Sequence, residues 1–75
     1  LYLENSSIQK ASEAARQAYE ISPNNASVVD TLGWVLVKIG KYEEGLRYLR
    51  KSLKLLPDSE LVAEHINAAE SLIGN

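Results

Sequence analysis

The chain has 75 residues, of which 45% are apolar and 24% charged, with 8 basic against 10 acidic side chains and no cysteine. An apolar share of this size belongs to an ordered globular chain. So short a domain buries only about 60% of the surface its unfolded chain exposes, so its stability is expected to be marginal. With no thiol, neither a disulfide nor a thiolate zinc site can add to it. A net charge of −2 argues against general nucleic-acid binding, which goes with a strong basic excess. No apolar run approaches the roughly 20 residues needed to cross a bilayer, so no direct membrane insertion is expected. Leu1–Lys10 lacks the charged-then-apolar layout of a secretory signal. A chain that starts at Leu1 and holds no methionine reads as a piece of something longer.

Pro23 and Pro57 lie 34 residues apart, and the chain compared with itself at that offset keeps its character. Ala11 falls on Gly45, Ala15 on Leu49, Arg16 on Arg50, Ala18 on Ser52, Val28 on Val62, Leu32 on Ile66, Ile39 on Ile73 and Gly40 on Gly74.

Leu1–Leu3 reads as the tail of an earlier helix. Ile8, Ala11, Ala15, Ala18, Tyr19 and Ile21 then make an apolar helical face that ends at Pro23. Asn24 and Asn25 supply capping side-chain oxygens for the next helix. Its apolar residues fall at Val28, Val29, Leu32, Val35, Leu36 and Ile39, one face of a 3.6-residue period. Gly40 stops it by accepting the left-handed conformation. Tyr42, Gly45, Leu46, Leu49, Leu53 and Leu56 form a third face, closed by Pro57. Asp58 and Ser59 cap a fourth helix, which carries Val62, Ile66, Ala69 and Ile73 and ends at Gly74. No stretch alternates with the period of a strand. The expected fold is all-α, with about four antiparallel helices.

The segment from Asn24 to Pro57, NNASVVDTLGWVLVKIGKYEEGLRYLRKSLKLLP, resembles a tetratricopeptide (TPR) repeat. The resemblance rests on Leu32-Gly33, Gly40, Tyr42, the small Gly45 and Ser52, the large Leu49, and Pro57. It implies an α-α superhelix fragment: a half repeat at 7–23, a full repeat at 24–57, and a half repeat or capping helix at 58–74. Leu32-Gly33-Trp34 followed by Gly40-Lys41-Tyr42-Glu43-Glu44 is similar to bacterial members, among them exported and lipoprotein types, which favours the cell envelope or periplasm over the cytoplasm. Val29 stands where the family often has tryptophan, Asn67 where the offset gives Gly33, and Glu70 where a large apolar residue is usual. Gly33 has a packing reason, since a side chain would hold its helix away from the next. Asn67 and Glu70 are read as the water-facing side of a terminal, capping helix; the bland alternative is that Glu70 snorkels or pairs with a basic neighbour.

At about 100° per residue, Trp34 lies about 200° from Leu32, on the side away from the apolar face. Asp30, Val37 and Lys38 flank it. In the family these off-core positions of each first helix line the groove that holds a peptide or partner. The resemblance therefore implies a partner-binding groove of Asp30, Trp34, Val37 and Lys38, continued by Glu64, Ala68 and Ser71, with Asn24 and Asn25 at the rim. The alternative for Trp34 is that it fills space against a preceding helix or against Tyr2 and Leu3. The expected role is a scaffold module for protein–protein interaction. The competing role is a stacking or self-associating element, including a homodimer of the fragment, in which Leu61, Leu72 and Tyr48 would become protected.

His65 has no second ligand at helical spacing, so no metal site is expected. Ser6-Ser7 and Ser59 read as caps, with no base to make them nucleophiles, and the glycines have no phosphate-binding spacing. Neither a catalytic constellation nor a cofactor site emerges. Arg47, Arg50, Lys51 and Lys54 form a basic stripe, read as solvated charge with a Glu43–Arg47 pair. A polyanion bound there is the competing reading.

Overall fold

The computed structural model describes residues 2–74, and side chains from Gln9 onward. Four helices follow one another, α1 (Tyr2–Ile21), α2 (Ala26–Lys38), α3 (Tyr42–Leu55) and α4 (Glu60–Gly74), with no strand among the described residues. They lie side by side in a slab only 17 Å thick. Joined by turns of three or four residues, consecutive helices run antiparallel.

The turns use the expected chemistry. Asn25 caps α2, its Oδ1 accepting from the backbone N–H of Ser27 at 3.0 Å and of Val28 at 3.3 Å. Ser59 Oγ accepts from the Val62 N–H at 3.2 Å ahead of α4. Gly40 has φ of 94°. Its N–H bonds to the Val37 carbonyl and that of Lys41 to the Leu36 carbonyl, the paired closure that a left-handed residue permits at a helix end.

Two glycines set the spacing of α2 and α3. A Cβ on Gly33 would lie 2.8 Å from the Gly45 carbonyl oxygen and 2.9 Å from the Leu49 side chain, and one on Gly45 would lie 2.5 Å from the Gly33 oxygen. With the backbones this close, Val29, Leu36 and Leu49 are fully buried. The Ser52 hydroxyl, also fully buried, donates to the Ala26 carbonyl at 2.7 Å, so its burial leaves no polar atom unpaired.

The core has two parts. Val37 of α2 and Leu46 and Leu49 of α3 receive Val62, Ile66 and Ala69 of α4, with Trp34, Tyr42 and Leu53 at the margin. Ala15 of α1 meets Leu32 and Leu36 of α2, with Tyr19, Ile39 and Tyr48 alongside. Long side chains span from α1 to α3: Lys51 Nζ donates to the Tyr19 hydroxyl at 2.6 Å, and Arg16 reaches Glu44 at 3.5 Å.

Several expectations are corrected. Tyr2 and Leu3 begin α1 and Ser6-Ser7 lie inside it, so the first two do not end a separate helix and the serines do not cap one; Leu1 and the side chain of Ile8 lie outside the described residues. Ile21 is 82% exposed, so it takes no part in the apolar face of α1. Val28 and Val35 are only half-buried, whereas Val37 is buried, since Val37 lies in the core shared with α3 and α4 while the small alanines of α1 cover the other flank only partly. Ion pairs among the described residues link different helices, Arg16–Glu44 and Arg50–Glu70, and the expected Glu43–Arg47 pair within α3 is absent.

Overpacking the glycine contact and straining the turn should separate in size. Gly45→Ala should lower stability by about 2 kcal/mol and Gly40→Ala, which has open space around it, by about 1 kcal/mol. Urea titrations followed by circular dichroism test the order; equal losses would contradict the packing account.

Candidate functional site

Asp30 and Trp34 stand one helical turn apart on α2 and so share a face. His65 of α4 meets both. Its Nδ1 lies 2.9 Å from Asp30 Oδ1, and its ring stacks on the indole with centroids 4.2 Å apart and planes 14° apart. The two side chains of the pair are 18% and 12% exposed, so water competes little for the bond. The direct contact between α2 and α4 is otherwise slight, since most of α4 packs on α3. The Asp30–His65–Trp34 group therefore joins the two helices directly on this face, beside the core that Val37 shares with α4.

Trp34 remains half-buried, with one ring face taken by His65 and Lys38 Nζ 5.2 Å from the ring centroid, within cation–π range. Lys38, Glu64 and Ser71 are exposed and Ala68 is half-buried. Two expected positions change role. Val37 is 3% exposed and packs in the core, so it does not line a groove. Asp30 is 9% exposed and bonded to His65, so its carboxylate faces inward. Asn24 is exposed in the turn before α2, and Asn25 is engaged as the cap of that helix. Tyr2 and Leu3, the alternative packing partners for Trp34, have side chains outside the described residues.

Three residues missing from the expected set belong to this face. His65 reads in the sequence as a lone histidine, although its distance from Asp30 is close to the 34-residue period. Leu61 and Leu72, 57% and 49% exposed, stand with His65 and Ala68 at i, i+4, i+7 and i+11, one row along α4. That spacing was legible; what it needed was knowledge of which side of α4 the core takes.

The basic stripe is partly engaged. Arg50 Nη2 binds Glu70 at 3.1 Å, and Lys51 is held by Tyr19, whose ring centroid is 4.8 Å from its Nζ.

Residues 26–59 match the tetratricopeptide repeat family. The chain belongs to that family. The matched segment spans α2, α3 and the turn into α4, and so includes Gly33, Gly40 and Gly45. A second comparison agrees: the chain is 33% identical over 54 residues to the TPR repeat-containing protein PA4667 of Pseudomonas aeruginosa, a match covering 72% of this chain and 9% of that protein. It is also 31% identical over 65 residues to the human protein O-mannosyl-transferase TMTC1, covering 87% of this chain and 7% of the relative. The chain thus spans less than a tenth of the length of either relative, and the repeat signature it shares with them occurs in a bacterial and a human protein alike. No solved structure matches it. No helix is long and apolar enough to cross a membrane among the described residues. TPR repeats generally serve as scaffolds for protein–protein interaction.

Removing the imidazole orphans the Asp30 carboxylate, so His65→Ala should cost about 2 kcal/mol. Trp34 is the only tryptophan, and its emission should shift to the red as the stacked ring is lost. Denaturation and fluorescence of His65→Ala, Asp30→Asn and the double variant read the coupling; additive losses with unchanged emission would contradict a joined group.

Proposed function

We propose that the α2–α4 face binds a protein or peptide partner, with Trp34 as the anchor and Lys38, Glu64, Ala68 and Ser71 around it. The observation that carries this reading is the state of the indole. It is held on one side by a stacked imidazole, whose own orientation is fixed by a largely buried carboxylate, yet the indole is only half-buried. A large side chain immobilised before binding loses little further entropy when a partner arrives, and aromatic residues of this kind dominate binding energies at interfaces. Leu61 and Leu72 extend the apolar surface along α4, and Asn24 and Asn25 edge it. With Asp30 turned inward, the exposed charges of the proposed face are Lys38, beside the indole, and Glu64 on α4.

A non-catalytic role goes with this reading. Asp30 and His65 form a hydrogen-bonded pair. Its packing against Trp34 accounts for it as an orienting element. The transferase activity in the name of the human relative belongs to that much longer protein.

Self-association is the second reading. It draws on the apolar surface left open on the other flank of α2, where Val28, Thr31 and Val35 face Ala11, Ala14 and Ala18, and on exposed Leu61, Leu72 and Ile73.

Titration of a partner recovered by pull-down, with wild-type protein and Trp34→Ala compared, tests the anchor. The expected loss is about 30-fold in affinity, the size of an interface hot spot, with helix content unchanged. Equal affinity would remove Trp34 from the interface. Sedimentation across a concentration range addresses the second reading, since a self-associating element shifts to dimer as concentration rises.

A further inference from the structure

The 34-residue period sets each residue of α4 opposite one of α2, so the cover that α3 gives α2 defines what a further helix would require of α4. α3 meets α2 along one row. Ser52 bonds the Ala26 carbonyl, Gly45 and Leu49 press on Gly33, and Gly45 lies against Val37. Val29 falls between them in the row, and Leu36 beside it packs near Tyr48. All of Val29, Gly33, Leu36 and Val37 are buried.

The corresponding residues of α4 have opposite properties. Val29 becomes Ala63, Gly33 becomes Asn67, Leu36 becomes Glu70 and Val37 becomes Ser71, while Ala26 becomes Glu60. Glu60, Asn67, Glu70 and Ser71 are all exposed. Asn67 carries a side chain at the one point where α2 and α3 tolerate none, for a single Cβ there would already sit 2.8 Å from the facing backbone. Glu70 is drawn back toward α3 by Arg50 at 3.1 Å. A helix laid on this row in the manner of α3 would have to stand off from Asn67, cover the Arg50–Glu70 pair and bury the Glu60 carboxylate, for which α4 carries no Lys or Arg. Burial of unpaired charge is strongly unfavourable.

The two outer sides of the molecule are not alike. On the α1 side the uncovered surface is apolar, with alanines of α1 facing Val28 and Val35. The polarity of the α4 row is therefore a property of α4 and not a general consequence of an uncovered side.

We propose that α4 caps the repeat stack: whatever chain follows, no helix packs on the Glu60–Ala63–Asn67–Glu70–Ser71 row as α3 packs on α2. The proposal goes beyond the partner-binding reading and does not depend on it.

The test is thiol accessibility in the isolated full-length protein, without partner, carrying Asn67→Cys. Alkylation at that position is followed by mass spectrometry of its peptide, native and in denaturant. The expected native rate is within ten-fold of the denatured rate, with Val29→Cys, on the matching row of α2, slowed more than 100-fold as the buried control. A native rate at position 67 suppressed by ten-fold or more overturns the proposal. Thermal denaturation of Asn67→Lys in the same protein is a second measurement. A midpoint shift under about 2 °C is expected for a solvated position, whereas a drop several times larger means that the row is covered.

Discussion

The contact of Gly33 with Gly45 is the constraint on which the rest of the structure depends. Because neither residue carries a Cβ, the backbones of α2 and α3 meet directly, and everything lateral to that contact follows from it. Close approach seals Val29 and Leu49, brings Ser52 within bonding distance of Ala26, and turns Val37 inward. It also builds the seat for α4, because that seat is shared: Val37 comes from α2, Leu46 and Leu49 from α3. A wider spacing would leave Val62, Ile66 and Ala69 with a gap beneath them and would move His65 away from Asp30 and Trp34. The candidate site is thus a consequence of two missing side chains more than 10 residues apart in sequence.

Helix positions, the stop at Gly40 and the caps at Asn25 and Ser59 were legible because each depends on residues within one turn of it. Apolar periodicity found the face of α2 but placed its centre wrongly, toward Val28 and Val35 and away from Val37. Periodicity averages over the hydrophobic residues of a helix, and α2 is apolar on more than one side; which side is covered depends on where α4 lies, information held 25 residues downstream. Asp30 and His65 were invisible for a related reason. Each is an ordinary polar residue on its own helix, and only their juxtaposition makes the group. The family resemblance pointed to the face of α2 that carries Trp34 and Lys38, yet it could not tell which members of that face would be consumed by packing. Val37 and the Asp30 carboxylate are consumed in this way.

Trp34 therefore stands at the junction of two roles. Against His65 it is part of what aligns α2 with α4; its free edge is the surface proposed above to meet a partner. This coupling has a physical consequence for how the site behaves. The indole cannot swing away without releasing the imidazole, and the imidazole cannot leave without orphaning a carboxylate that is 12% exposed. Each group holds the next, so the geometry of the face is preset by folding.

The same logic of nearest neighbours decides how far the site's chemistry reaches. In stacked repeats each unit touches only those beside it. Among the described residues, those packed with Trp34 come from α2, α3 and α4, and their core cluster includes none from α1. The face is consequently a local property of the full repeat and the helix that follows it, and it would persist in an array of any length, such as those implied by relatives of which this chain matches less than a tenth. What an array can change is the other flank of α2, where the alanines of α1 leave Val28 and Val35 partly open. The proposed binding face and the open flank beside α1 thus lie on different sides of α2.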